Sequence, residues 1–297
     1  MVKRVFLFVL TNIAILAMVS IVLAVLGRTG VLDLAGSQGS LLILCAVWGF
    51  GASFVSLLLS RWMAKKAMGV HLIGPDVRDP DAQWLYATVS RLAQQANLPM
   101  PEVGIYDSPE VNAFATGPSK KRSLVAVSTG LFRSMGKQEV EGVLAHEISH
   151  VANGDMVTMA LIQGVVNAFV LYLAHVVAMI ARSALSSRDD GRPSYAGFMI
   201  GQLVFIAAQI VFGLIGSMIT AWFSRHREFR ADAGGAALAG QGSMVSALRR
   251  LLANQGRVDN SKPEYATLKI SGGKRLFALL ATHPPLEQRI AALEQRA

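Results

Sequence analysis

His146 and His150 stand four residues apart with Glu147 directly after the first, in the run His146-Glu147-Ile148-Ser149-His150. On a helix, residues i and i+4 share a face one turn apart, so both imidazoles can reach a single metal ion. Zinc is the expected ion, one per chain: it accepts neutral histidine nitrogens and keeps an open position for water in hydrolytic sites. Glu147 lies about 100° round such a helix from His146, close enough to the attacking water to take its proton rather than bind the metal. The helix itself is legible. Val140, Val143, Leu144 and Val151 recur at helical spacing, Glu139 and Glu141 sit in the first turns where the helix dipole favours acids, and Asn153-Gly154 supplies a stop.

A third ligand is expected from Glu228-Phe229-Arg230-Ala231-Asp232, in an alanine-rich helical context. Glu228 and Asp232 are again i and i+4, so one carboxylate can bind the metal while the other accepts the free N–H of a ligand histidine. The competing reading is a solvated helix face with i,i+4 charge pairs. His283, at the start of a final helix announced by Thr282-His283-Pro284-Pro285, can donate to an oxyanion beside the metal or simply cap the helix. Asn112-Ala113-Phe114 leads into a strand that can hold an extended peptide over the metal through main-chain hydrogen bonds, or can be an ordinary internal hairpin strand.

The elements that must position these groups are set by composition. The chain has 297 residues, 53% of them hydrophobic and only 16% charged. Val5–Leu26, Leu41–Leu59, Val157–Ala181 and Phe198–Phe223 contain no Asp, Glu, Lys or Arg, which predicts four membrane spans. The first exceeds the apolar core of a signal peptide, lacks a clear cleavage site, and is read as retained. Lys3 and Arg4, then Arg61, Lys65 and Lys66, then Arg225, Arg227 and Arg230 flank the spans on one side, which the positive-inside rule makes cytoplasmic. The Gly27–Ser40 and Arg182–Gly197 loops fall outside. Both termini and all the motifs then share the cytoplasmic side. The chain divides as 1–60 (two spans), 61–156 (first part of a catalytic domain), 157–223 (two spans) and 224–297 (second part).

The net charge of +9 is explained by span-flanking residues meeting anionic headgroups, which makes nucleic acid a poor partner and the lipid bilayer an expected one. The single cysteine, Cys45, excludes a disulfide framework and a thiolate metal site. His175 lies inside the third span and is read as hydrogen-bonding a neighbouring helix; a zinc transporter would place more such groups there. In the soluble part, Asp79-Pro80-Asp81 starts a helix running to about Asn97 with Trp84, Leu85, Thr88, Val89 and Leu92 as its apolar stripe. Val103–Tyr106 and Ser123–Ser128 read as strands. After the fourth span, Ala231–Leu252 reads as helix and Asn254–Lys274 as a loop that can cover the cleft. The fold class is mainly α: a four-span helical membrane protein with a cytoplasmic zincin-like α+β metalloprotease domain. Lys137, Glu139, Glu141 and Asp155 around the histidines argue for water access rather than an intramembrane site.

Taken together and in order, Asn112–Gly117, His146–His150, Glu228–Asp232 and Thr282–Pro285, interleaved with four spans, resemble the bacterial HtpX membrane zinc endopeptidases, relatives of the CAAX prenyl proteases. The resemblance covers essentially the whole chain. It implies a gluzincin-type domain facing the cytoplasm of the bacterial inner membrane and a role in stress-linked quality control of misfolded membrane proteins, with self-cleavage common. By the same resemblance His146, His150 and Glu228 are the ligands, Glu147 the catalytic base and Asp232 a partner of a ligand histidine, while His283 and Asn112 remain readings from the residues alone. Two alternatives stand beside it. A non-catalytic zinc-stabilised membrane scaffold needs the ligands but not Glu147, and a prenyl-protein-type protease shares the chemistry. The oligomeric state is not legible.

Overall fold

The computed structural model describes residues 38–186, 195–259 and 279–295. The expected first span Val5–Leu26, most of the loop after it, and residues 260–274 of the expected flap lie outside these. Among the described residues, three helices are long and apolar enough to cross a membrane: α1 (Gln38–Met68), α5 (Asp155–Ser186) and α6 (Tyr195–Ala239). At 1.5 Å per residue, the 32 residues of α5 and 45 of α6 reach roughly 48 and 68 Å, well beyond the roughly 30 Å of a hydrocarbon core. Their surplus turns are therefore free to do something else.

The chain forms two compact units. One consists of the stretch ending at Ser56 together with Ala160–Thr220, and is all helical among its described residues. Small residues set its helix spacing: a Cβ added at Gly164 would stand 2.6 Å from the Phe50 ring.

The other unit, Leu57–Met159 with Ala221–Ala297, holds a four-stranded sheet in the order β1-β2-β4-β3, where β1 is His71–Ile73, β2 Glu102–Tyr106, β3 Ala113–Ser119 and β4 Arg122–Ser128. The central strand β4 is apolar on both faces and buried from Ser123 to Ser128, as a strand covered on both sides must be. It pairs parallel with β2 and antiparallel with β3, with Ala115 opposite Val125, which leaves β3 at the sheet edge. Helix α2 (Pro80–Gln95) starts as its sequence requires: the Asp79 carboxylate accepts the Ala82 N–H at 2.8 Å. It buries Leu85, Thr88, Val89 and Leu92, with Trp84 half-buried against the same core.

The short α3 (Thr129–Ser134) leads to α4 (Lys137–Asn153), where Glu139 accepts the Gly136 N–H at 2.8 Å. Gly154, at φ 71°, ends α4 and turns the chain directly into α5. Two boundaries differ from the sequence expectation. The helix carrying Ala231 is the continuation of α6, which stops at Ala239; Gly240 at φ 85° separates it from α7 (Gln241–Asp259). Residues Asn254–Asp259 are helical rather than loop, since a single interior glycine such as Gly256 costs a helix only about 1 kcal/mol. Helix α8 (Leu286–Glu294) follows the Pro284-Pro285 pair as expected.

Candidate metal centre

Helix α4 presents His146 and His150 on one face, with Nε2 atoms 3.0 Å apart. Both rings are buried. Their outer nitrogens are fixed by carboxylates: His150 Nδ1–H donates to Asp155 Oδ2 at 2.6 Å, and His146 Nδ1 lies 2.9 Å from Asp232 Oδ1. A proton held on each Nδ1 leaves each Nε2 lone pair directed inward at the same point. The surplus turns of α6 bring Glu228 to that point. Its Oε2 lies 3.4 Å from His146 Nε2 and its Oε1 3.3 Å from His150 Nε2.

Glu228 is 0% exposed, and its carboxylate is ringed by positive or protonatable groups: the two Nε2 atoms, His283 Nδ1 at 3.0 Å and Arg289 Nη1 at 3.4 Å from Oε2. A buried carboxylate is costly unless cationic or hydrogen-bonding groups compensate it. The three donor groups lie within 4.8 Å of one another, so the chemistry and geometry of His146, His150 and Glu228 fit a single metal ion. Burial opposes charge on His150, yet its hydrogen bonds to Asp155 and Glu228 and the charge of Glu147 push it up to about 9. His146 moves up too: burial and the neighbouring imidazole oppose protonation, but Asp232 and Glu228 outweigh them. A divalent cation competes with these protons for the same lone pairs.

Two groups in this cluster escape a reading by sequence. Asp155 is 1% exposed, so it is not the water-facing flank expected of it: it holds His150 and in turn accepts from Arg230 Nη2 at 3.1 Å. Arg289 is 6% exposed and grips Asp232 with two hydrogen bonds, Nε to Oδ2 at 2.7 Å and Nη2 to Oδ1 at 2.6 Å. Burial alone would lower the guanidinium, but Asp232 and the acids behind it raise it. Its signal was present. Leu286, Arg289, Ile290 and Leu293 are spaced i, i+3, i+4, i+7, so an arginine occupies a core-facing position of α8.

Glu147 is not among the metal donors. It is half-buried, lines the same cavity as His146 and Glu228, and its Oε2 accepts the Ala115 N–H of the edge strand β3 at 2.8 Å. Asn112 and Ala113 line that cavity too. Phe114 does not. Successive strand side chains point to opposite faces, and its ring packs on Tyr106 with centroids 5.6 Å apart. His283 reaches the cluster with Nδ1 3.0 Å from Glu228 Oε2, while its side chain is 62% exposed. His175 stays in the helical unit, where its Nδ1 contacts the Leu171 carbonyl at 2.8 Å.

Residues 79–297 match the family model for peptidase family M48. The chain is 50% identical to the protease HtpX of Shewanella oneidensis over 99% of its own length and 100% of that protein's, and 51% identical over the same shares to the protease HtpX of Shewanella sp. strain MR-4. Among solved structures it is similar to the crystal structure of S. mikatae Ste24p, with a TM-score of 0.68 and 18% identity over 99% of this chain; it spans 65% of that chain. A buried two-histidine, one-glutamate metal group, three apolar helices of spanning length and these relatives agree: the chain is a membrane metalloprotease and belongs to peptidase family M48.

Proposed function

We propose that the chain is a zinc-dependent endopeptidase of the bacterial cytoplasmic membrane that cleaves misfolded or damaged membrane proteins, itself included, with His146, His150 and Glu228 as ligands of one zinc ion. The observation that carries this is the convergence of the fully buried Glu228 carboxylate and two inward Nε2 atoms, three donor groups within 4.8 Å of one another. Zinc would be held by two imidazole nitrogens and one carboxylate, a donor set it accepts in hydrolytic sites. The two Nε2 atoms lie 3.0 Å apart, and each lies 3.3–3.4 Å from a different oxygen of the Glu228 carboxylate. Asp232 and Asp155 hold the two imidazoles in the tautomer that can ligate.

When bound, zinc polarises the scissile carbonyl and acidifies the attacking water. The rest falls to the chain's own groups. Glu147 takes the water proton on a carboxylate oxygen and delivers it to the leaving amine; the Ala115 N–H fixes the carboxylate for that transfer. The edge of β3 offers main-chain groups to an extended substrate beside Asn112 and Ala113, and His283 stands at the cavity rim where it can donate to the developing oxyanion. The sequence supports a four-span topology with the 61–156 and 224–297 segments and both termini in the cytosol, through the Lys and Arg residues flanking the spans. That arrangement gives the site access to cytosolic loops and tails of membrane proteins.

The test compares wild type and Glu147→Gln in detergent on a misfolded membrane protein, with zinc content measured and zinc restored after chelation. Zinc-dependent cleavage by wild type alone, with about one zinc in each protein, is the expected result. Bound zinc without cleavage would transfer the reading to a zinc-stabilised scaffold.

A further inference from the structure

Lys120, Lys121 and Arg122 follow one another at the turn from β3 into β4, and all three are exposed. Among the described residues none of them has an ion-pair partner, whereas Arg61 and Lys65 both pair with Glu102 and Arg230 pairs with Asp155. A run of like charges is ordinarily just a solvated surface. Here the fold gives it a counterpart. The turn is rigidly built: a Cβ on Gly117, at φ 147°, would collide with the Arg122 carbonyl, Ser119 pairs with Arg122, and the Ser123 hydroxyl donates to the Lys120 carbonyl at 3.3 Å. Its tip reaches the junction of α4 and α5, where a Cβ on Gly154 would stand 3.7 Å from Lys120 Cε.

That junction is a membrane entry. Less than one helical turn beyond Gly154, α5 begins the stretch Val157–Ala181, which has no Asp, Glu, Lys or Arg. At 1.5 Å per residue this stretch runs roughly 37 Å against a hydrocarbon core of roughly 30 Å, so its ends reach the headgroup layer. In sequence the three cations stand far from any span; the packing of the β3–β4 hairpin beside α4 brings them to one.

We infer that the Lys120–Arg122 tip binds the anionic headgroups of phospholipids and thereby steadies β3, the strand whose edge faces substrate. The lipid contact stands by itself; its effect on catalysis rests on the endopeptidase reading. Two features select the partner. The cations lack a protein counter-charge beside a surface where phosphates are dense, and each cation near an anionic leaflet shifts the local equilibrium roughly fivefold. Lysine methylenes can also lie along the apolar boundary while the ammonium stays among phosphates. The consequence follows from the hairpin. β3 is paired on one side only, and its Ala115 N–H holds Glu147. Fixing the far end of that strand lowers the ordering cost when a peptide pairs with its free edge, which acts on KM rather than on kcat.

The test places the full-length, metal-loaded protein in nanodiscs of phosphatidylcholine with or without phosphatidylglycerol. It compares wild type, the triple variant Lys120→Gln/Lys121→Gln/Arg122→Gln, and the charge-keeping variant Lys120→Arg/Lys121→Arg. Hydrogen exchange needs no turnover. In wild type and the Arg variant, phosphatidylglycerol is expected to slow exchange at backbone amides 117–123 roughly fivefold or more, and high salt to reverse it. The Gln variant should show neither response, with its β4 amides from Val125 onward still protected as in an intact sheet. In a peptide assay phosphatidylglycerol is expected to lower the wild-type KM roughly two- to fivefold at constant kcat, and to leave the Gln variant at the KM that wild type has in phosphatidylcholine.

Exchange that ignores phosphatidylglycerol in wild type overturns the lipid contact. Slowed exchange with an unchanged KM keeps the contact and overturns its link to β3. Slowed exchange in a wild type that cleaves nothing keeps the contact and overturns the endopeptidase reading instead. A Gln variant whose KM rises in phosphatidylcholine alone, in step with the number of acids in the peptide, makes the tip a reader of substrate charge and overturns the lipid assignment.

Discussion

Toward its start, α6 exposes Leu203 at 64%, Ile206 at 52% and Ile210 at 61%; toward its end, the same unbroken helix seals Glu228 at 0% and Asp232 at 1%. In water both ends would be inverted. The difference shows one rule acting in two media. Large aliphatic groups stay outside where the surroundings are hydrocarbon, and carboxylates go inside where histidines, an arginine and a cation await them. Composition separates the two ends: Phe198–Phe223 has no charged residue, whereas Arg225, Arg227, Glu228, Arg230 and Asp232 crowd into the next turns.

The most severe break in this contrast is at the buried end. His146→Ala and Glu228→Ala are each expected to leave less than stoichiometric metal after gel filtration and to abolish hydrolysis. Glu147→Gln should keep its metal and lose turnover by roughly 10²–10⁴-fold, the usual contribution of a positioned proton carrier. Mass-spectrometric metal analysis beside a peptide assay separates the two classes. A Glu228→Ala protein that retains its metal would mean that the carboxylate is buried for some other reason, and the contrast along α6 would lose its chemical half.

The next largest effect lies one contact further out. Arg289 to Asp232 to His146 is a chain of charges in which removing one partner leaves the others buried and uncompensated. Arg289→Ala and Asp232→Asn should each weaken metal binding roughly 10–100-fold, read by competition with a chelator. In the double variant the losses should not add, because both remove the same support. Full additivity would show that Arg289 acts through α8 packing alone.

Much of this was legible in the sequence where cause is local. The three long apolar helices among the described residues follow from uncharged length, the α4 face from i,i+4 spacing, the α2 start from Asp79-Pro80, and the α8 start from Pro284-Pro285. Partners distant in the chain were not legible. Arg289 approaches His146 across 143 residues and Arg230 meets Asp155 across 75, and no local periodicity announces either pairing. Asp155 looked like a solvated residue at the end of a charged segment because nothing nearby says that His150 and Arg230 close over it. Strand β1 has three residues, too few to show alternation. The edge position of β3 could not be read until its pairing with β4 was known, since the same sequence suits an internal hairpin strand.

At the apolar end of α6 the effect is smaller per residue and of a different kind. Ile210→Lys should reduce membrane integration by roughly 2.5–3.5 kcal/mol, the cost of a central charge in a spanning helix. Ile210→Phe should leave integration unchanged. A glycosylation-based insertion assay of the isolated 195–223 segment measures both. If the lysine variant integrates as well as wild type, the 61% exposure of Ile210 is not exposure to hydrocarbon.

The smallest effect is expected at His175, and it sharpens what the metal histidines have that others lack. His146 and His150 each have a carboxylate on Nδ1 and a second imidazole facing Nε2. His175 has neither. Its Nδ1 meets the Leu171 carbonyl of its own helix at 2.8 Å, and its ring stands edge-on to Phe205 with centroids 4.5 Å apart. That carbonyl already accepts a helical N–H, so losing the imidazole leaves no orphaned group, and a phenyl ring can keep the edge-on contact. His175→Phe should therefore hold its metal and its turnover within about twofold, with Tm moving by a few degrees at most, since roughly 1 kcal/mol is at stake. Metal analysis and a thermal melt decide it. A loss of metal in this variant would join the helical unit to the metal chemistry, and a histidine without a carboxylate partner could no longer be set aside as structural.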